Sequence, residues 1–203
     1  MPKIIDAEER RRDIVRAACE VIINDGLAEL TLASVATASG LAIGSVRHYI
    51  GGHDDLRRVT LIMLGEQRLE RLAAAAQPVL YACDESTVVK RRRVLEWLEQ
   101  LLPLDEDRLR EATVWVALRE AARTDSRLGE LMAEVERRRL DLVRRVLGRV
   151  RPSWGHTTRV IEAHRLSALL RGLTVERVYA PDTVTAATLR HVLGQHVNQL
   201  RTG

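Results

Sequence analysis

Gly40 separates two short apolar stripes, and that arrangement constrains the chain more than any other feature. In Thr31 to Ile50, TLASVATASGLAIGSVRHYI, the residues Leu32, Val35 and Ala36 recur at i, i+3 and i+4, the repeat of a helix with one buried face. Thr31 has the hydroxyl to cap the free amides of that helix's first turn. A glycine after the last helical residue takes positive φ at no steric cost, so Gly40 ends the helix, and Leu41 is an apolar plug for the corner. A second helix then starts near Ala42. Its expected inner side carries Ile43 and Val46, with Ile50 closing the far end, while Gly44, Ser45, Arg47 and His48 point outward and Tyr49 lies at the edge. Helix, tight turn and helix is the form of a DNA-reading element. Small residues let the backbone approach the groove, hydroxyls reach phosphates, and an arginine suits guanine O6 and N7. Taken alone, the segment reads first as an ordinary pair of core helices joined by a glycine turn.

The pattern extends beyond the turn. Gly26, Thr31, the Val35-Ala36 pair, Ser39-Gly40-Leu41, Gly44-Ser45, His48-Tyr49 and Leu56 resemble, in order and spacing, the amino-terminal domain of TetR-family transcriptional regulators over about Ala7 to Leu56. The opening, Met1-Pro2-Lys3 followed by Glu8-Glu9-Arg10-Arg11, is similar to the start of the choline-responsive BetI-type branch, and a looser similarity runs to the end of the chain. The resemblance implies an all-α protein of about nine helices. Residues 1–53 would be a three-helix helix-turn-helix DNA-binding domain with its motif at 31–50, and residues 54–203 a larger helical domain for effector binding and dimerisation. It also implies a homodimer on palindromic double-stranded operator DNA, a repressor released by a small-molecule effector, with the opposite coupling, an activator, as the alternative. No cofactor is expected.

The same resemblance assigns the DNA contacts to Thr31, Ser34, Gly44, Ser45, Arg47, His48, Tyr49 and His53. Arg47 would read a base edge, and Thr31, Ser45, Tyr49 and the helix start near His53 would hold phosphates. Four positions depart from the family pattern. His53 stands where a lysine is usual, Ile50 where an aromatic is usual, Ala42 where a Ser or Thr often caps the reading helix, and Ala33 where some relatives carry a base-reading arginine. The Ala42 change removes a cap worth about 1 kcal/mol.

Composition supports an all-helical reading. The 203 residues are 46% hydrophobic, enough for a sizeable core, yet only 3% aromatic with no Phe, while Ala, Leu, Arg and Glu recur at helical spacing. Net charge is +4, but Met1 to His53 holds six Lys or Arg against seven Asp or Glu, so DNA affinity there must come from where charges sit. Arg10 to Arg12 are either a basic arm or a solvated helix end. Cys19 and Cys83 lack any CxxC spacing, six histidines are scattered, and no nucleotide-loop, HExxH or GxSxG pattern occurs, so neither a metal site nor a catalytic site is expected. The early acidic residues and the lack of a long apolar run point to a soluble cytoplasmic protein without membrane contact.

Along the chain, the first helix is expected from about Ala7 to Asn24, stopped by Gly26, and a fourth from the Gly51-Gly52 break to about Ala76, with Pro78 ending its apolar run. Helix four is long enough to act as a lever between domains. Amphipathic stretches follow at about Ser86 to Leu102, Glu106 to Arg123 and Ser126 to Val150, the last with a basic run that includes Arg137 to Arg139, Arg144 and Arg145, read as a solvated face. Trp97 and Trp115 lie where the family builds its effector pocket, which would take in Met63, Val114, Leu118 and Arg119, with Leu98 and Glu120 as neighbours. For a quaternary amine, tryptophan faces with Glu96 or Glu99 would be suitable, whereas the plainer reading makes both tryptophans core anchors. The tail divides near Tyr179 to Asp182, with Asp182 or Thr183 as the cap of the last helix. In the family such a pair forms the dimer interface, here Leu169, Gly172, Leu173, Leu189, Leu193 and Val197, although such stripes also suit the core of a single protomer. Two rivals remain: a helical dimeric interaction module without sequence-specific DNA binding, and an enzyme on a helical bundle.

Overall fold

The computed structural model describes residues 7–81 and 87–199. The described residues form nine α-helices: α1 (Ala7–Asp25), α2 (Leu32–Ser39), α3 (Ile43–Ile50), α4 (His53–Leu80), α5 (Thr87–Glu99), α6 (Glu106–Ala121), α7 (Ser126–Val150), α8 (His156–Tyr179) and α9 (Ala186–Gln199), with a 3-10 turn at Leu27–Glu29 between α1 and α2. No strand occurs among them, and no helix is long and apolar enough to cross a membrane. Cys83 lies outside the described residues.

The chain divides into two compact units. Unit 1 joins the residues up to Glu66 with Thr113–Glu134, and unit 2 joins Gln67–Ala112 with the residues from Val135 onward. The division therefore differs from the expected boundary after His53, because its limits fall inside α4, α6 and α7 and unit 1 is discontinuous in sequence.

In unit 1, α1 buries Ile14, Val15, Ala17, Ala18, Val21 and Ile22, the face that its helical repeat predicts. Gly26 stops it with φ 91°. Leu30, Val35, Ala36, Val46 and Ile50 supply the opposing apolar surface, with Leu30, Val35 and Val46 fully buried. Gly40 takes the left-handed conformation, φ 68°, and its N–H bonds the carbonyls of Ala36 and Thr37, closing α2 as the sequence predicts. At the next break Gly51 has φ 104°. Beyond it Asp55 reaches back to accept the Gly52 N–H at 2.8 Å and also bonds Arg58, holding the start of α4. This is half of a capping box, with glycine in place of the capping hydroxyl. The hydrogen bond from Gly52, then the one from Arg58, holds the Asp55 carboxyl below its usual range.

Unit 2 is built on Leu72, Ala76, Val79, Trp97, Leu98, Leu142, Val143, Val146, Leu166, Leu170, Leu189 and Leu193, all buried in one cluster. Two expectations change here. Helix α4 does not stop near Ala76 but runs through Pro78 to Leu80. Proline removes one amide donor, yet Val79 beyond it is buried in the core and Tyr81 still donates to Gln77, so the extra turn is retained. The cap of α9 is neither Asp182 nor Thr183 but Thr185, whose Oγ1 accepts from the Thr188 N–H at 3.2 Å. The intervening turn is held by Arg177, which donates to the carbonyls of Pro181 and Val184. Across α4 and α6, Arg68 and Arg71 both bind the Glu111 carboxylate.

Candidate DNA-reading face and effector cavity

The reading face starts from two hydroxyls. Thr31 Oγ1 accepts from the Ser34 N–H and Ser34 Oγ from the Thr31 N–H, both at 3.0 Å, a reciprocal capping box that fixes the first turn of α2. Ser34 Oγ also donates to the Glu29 carbonyl at 2.7 Å. Of the expected DNA contacts, these two are therefore half-buried and already engaged in the fold. The start of α3 is the reverse case. Ala42 precedes it without any side-chain cap, so the amides of its first turn have no side-chain acceptor.

Helix α3 buries Val46 and Ile50 and exposes Gly44, Arg47 and His48 as expected. Ser45 is half-buried rather than fully outward, and Tyr49 lies half-buried with its ring edge-on to His48 at 5.0 Å. Ile43 corrects the sequence reading, being 47% exposed instead of inward. The inner contact is made at the i, i+4 pair Val46 and Ile50, and Ile43 is rotated off that line. The exposed surface of α3 thus holds an aliphatic group beside a cation, a combination suited to a thymine methyl and a guanine edge.

Arg11 adds a contact absent from the sequence reading. It pairs with Glu8 and donates from Nε to the backbone carbonyl of Tyr49 at 3.1 Å, tying α1 to the negative end of α3. Arg11 is thus a structural clip, while Arg10 and Arg12 lie beside it on the opening turns of α1. His53 is exposed as the first residue of α4.

In unit 2 a cavity of about 340 Å³ opens among α4, α5, α7, the turn after α7, α8 and α9. This size is at the lower end of the range for small-molecule sites. Its wall is apolar, with Pro78, Val79, Val94, Leu98, Val146, Leu147, Leu166 and Val197, and two tryptophans, Trp97 and Trp154, border it. Lys90, Arg91, Arg93, Arg149 and Arg151 also line it, with Val150 and Pro152, and the lining contains no acidic side chain among the described residues. Arg93 donates to the Pro78 carbonyl at 3.0 Å and Arg149 to the Leu80 carbonyl at 3.2 Å, anchoring both near the end of α4. Arg151 lies 5.8 Å from the Trp154 ring centre.

Trp97 is both a core residue, 1% exposed, and part of the cavity wall. Its indole N–H is buried without an acceptor, as is Arg91 Nε, and a buried unpaired donor of this kind costs about 1–3 kcal/mol. The other expected pocket residues lie in unit 1: Val114, Trp115 and Leu118 are buried, Met63 and Arg119 half-buried, and none lines this cavity. The Lys90-Arg91-Arg92-Arg93 run was the available signal for the rim, but a charge run on a helix ordinarily reads as solvated surface. Glu96 and Glu99 do not line the cavity either, since Glu96 pairs with Arg92 and Glu99 with Arg190.

At the proposed dimer face, Leu189, Leu193 and Val197 are buried within the protomer core at 0%, 1% and 6% exposure, a correction to their expected interface role. Each is more useful inside, where burial of such a side chain contributes about 1.5–3 kcal/mol. Leu169 and Leu173 are half-buried and Gly172 exposed, beside Ile161 and Tyr179, which are exposed on the same helix.

A helix-turn-helix unit together with a helical unit that encloses a ligand-sized cavity defines a transcriptional regulator that senses a small molecule. The comparisons agree. Residues 90–202 match the family model described as BetI-type transcriptional repressor, C-terminal, and the chain belongs to this BetI-like branch of the TetR family. It is 27% identical to the HTH-type transcriptional regulator PksA of Bacillus subtilis, over 98% of this chain and 94% of that protein. It is 25% identical to BetI 2 of Chromohalobacter salexigens, over 100% of this chain and 93% of that one. Among solved structures, a transcriptional regulator from Rhodococcus sp. Rha1 is 26% identical with a TM-score of 0.76, covering 93% of this chain and 94% of its own. A regulator from Saccharomonospora viridis, solved with choline, has a TM-score of 0.80 at 18% identity, covering 94% and 96%.

Proposed function

We propose that the chain is a homodimeric repressor that grips a palindromic operator with α2 and α3 and releases it when a small molecule occupies the cavity of unit 2. The observation that carries this reading is the outer face of α3, where Ile43, Gly44, Arg47 and His48 are all exposed around an uncapped helix start. Arg47 reads a base edge, His48 faces the groove, and Gly44 admits close backbone approach. Tyr49, Ser45 and His53 hold phosphates, and the free amides after Ala42 take a phosphate in place of a cap. Thr31 and Ser34 contribute by fixing α2 and by the acceptor and donor capacity left over from their capping box. The dimer forms on α8 through Gly172, Leu169 and Leu173 with Ile161 and Tyr179, which places two reading heads on half-sites about one DNA turn or more apart. Because Pro78 and Val79 line the cavity, a bound effector presses on the final turns of α4.

The test is fluorescence anisotropy of the protein on DNA from its own upstream region, at two salt concentrations, beside Arg47→Ala. Tight binding that weakens with salt and loses sequence preference in the variant supports the reading. Equal, weak binding of wild type and variant to specific and random DNA favours the interaction module, the reading to which the near-neutral charge of residues 1–53 lends weight.

A further inference from the structure

The lining of the unit 2 cavity has a one-sided chemistry. Among the described residues, every polar side-chain group on it is a hydrogen-bond donor: the Lys90 ammonium, the guanidinium groups of Arg91, Arg93, Arg149 and Arg151, and the indole N–H groups of Trp97 and Trp154. Among the described residues, no side-chain acceptor and no carboxylate lines it. Arg93 and Arg149 donate to the backbone carbonyls of Pro78 and Leu80, contacts that help to fix their position. Deeper in, Trp97 is almost wholly buried and its Nε1–H has no acceptor. An apolar wall with a cationic rim and an unmet donor is complementary to a ligand that is apolar along its length and carries oxygen acceptors with negative charge.

We infer that the effector of this cavity is an amphipathic oxyanion, an apolar chain or ring bearing a carboxylate or similar group, and not a quaternary ammonium. The inference rests on the effector reading above and supplies its ligand class. A quaternary ammonium needs aromatic faces together with negative charge. Here the tryptophans are present, but the cations around them oppose a second cation, and the carboxylates of Glu96 and Glu99 are turned to other partners. In the bound state the apolar tail fills the space between Val94, Leu98, Val146 and Leu166. The anionic head lies with Lys90 and Arg91, the two rim cations that form no ion pair among the described residues.

The test is calorimetric titration of the full-length protein with decanoate, decanol, decyltrimethylammonium and choline at one ionic strength, below the micelle threshold of each. Decanoate is expected to bind at least tenfold more tightly than decanol, with no saturable binding of either ammonium compound. The double variant Lys90→Glu, Arg91→Glu, on the exposed and half-exposed rim, is expected to lose tenfold or more in decanoate affinity and to keep the wild-type circular dichroism spectrum and Tm. Trp97→Phe, which keeps an aromatic wall and removes the N–H, is expected to weaken decanoate more than decanol. The inference falls if decanoate shows no saturable binding, if either ammonium compound binds as tightly, or if charge reversal on the rim leaves decanoate affinity unchanged. Decanoate binding alongside a failure to bind any DNA sinks the repressor reading while the ligand class stands. Conversely, operator release by choline and not by decanoate sinks the ligand class while the repressor reading stands.

Discussion

Arg71 and Glu111 meet fork to fork, Nη1 to Oε2 and Nη2 to Oε1, both at 2.7 Å, and Arg68 adds a third contact to Oε1 at 2.9 Å. One carboxylate therefore serves two guanidinium groups in a setting where the three side chains are only 12–29% exposed. The hydrogen bonds that Arg71 donates to Glu111 hold its pKa up, whereas burial pulls that of Arg68 down. Glu111→Gln leaves the two cations facing each other without their counter-charge, and we expect a loss of about 2–4 kcal/mol, the lower part of the range reflecting residual solvent. Urea unfolding checks it. A loss under about 0.5 kcal/mol would show that the cluster behaves as surface charge.

Two of the three positive-φ glycines of unit 1, Gly40 and Gly51, are expected to differ in tolerance. A Cβ at Gly40 meets nothing within 4 Å, so Gly40→Ala carries the conformational cost alone, about 1–2 kcal/mol. A Cβ at Gly51 would lie 2.5 Å from Asp55 Oδ2, and the clash adds to a φ of 104°. Gly51→Ala should therefore destabilise more than Gly40→Ala and lower DNA affinity, since Asp55 must abandon the Gly52 amide. Paired unfolding curves decide the order.

Ile43 separates stability from recognition. At 47% exposure it contributes little to the core, and Ile43→Ala should change unfolding free energy by less than about 1 kcal/mol. Operator affinity should fall at least fivefold, with the loss confined to sites carrying thymine opposite α3. Arg47→Ala should abolish preference at a guanine position. Selection of bound sequences with each variant reads both effects, and an unchanged selected sequence for Ile43→Ala would remove that residue from the reading set.

His196 should make stability fall on mild acidification. Burial, then the neighbouring Arg165 charge, lowers its pKa, with Glu162 opposing. The unfolded chain takes up this proton near pH 6.5 and the folded chain only at lower pH. Stability is therefore unaffected well above pH 6.5 and declines as pH falls from there through the folded pKa. His196→Gln should flatten that slope between pH 8 and pH 5.5, measured as urea midpoints.

Local rules made the reading head legible. Thr31, Gly40 and Gly51 act on their immediate neighbours, so the sequence predicts both the cap and the turns. Which face of a helix meets which neighbour is a matter of three dimensions, and there the periodicity misleads. It cannot rank Ile43 against Val46, because both are aliphatic and one helical turn apart. It also cannot tell that Leu189, Leu193 and Val197 are used within the protomer, since an interface stripe and a core stripe have the same repeat. The Lys90 to Arg93 run was visible but uninformative until Trp97 and Leu166 were seen to lie beside it.

The discontinuity of unit 1 bears on how the protein is made. Helices α1 to α3 leave the ribosome first, yet their unit also contains Val114, Trp115, Leu118, Leu128 and Met132, which are translated much later. A nascent chain that has emerged only to Glu66 carries the reading helices without these later residues of the same unit. A gene fragment that stops at the obvious motif thus encodes only part of this unit.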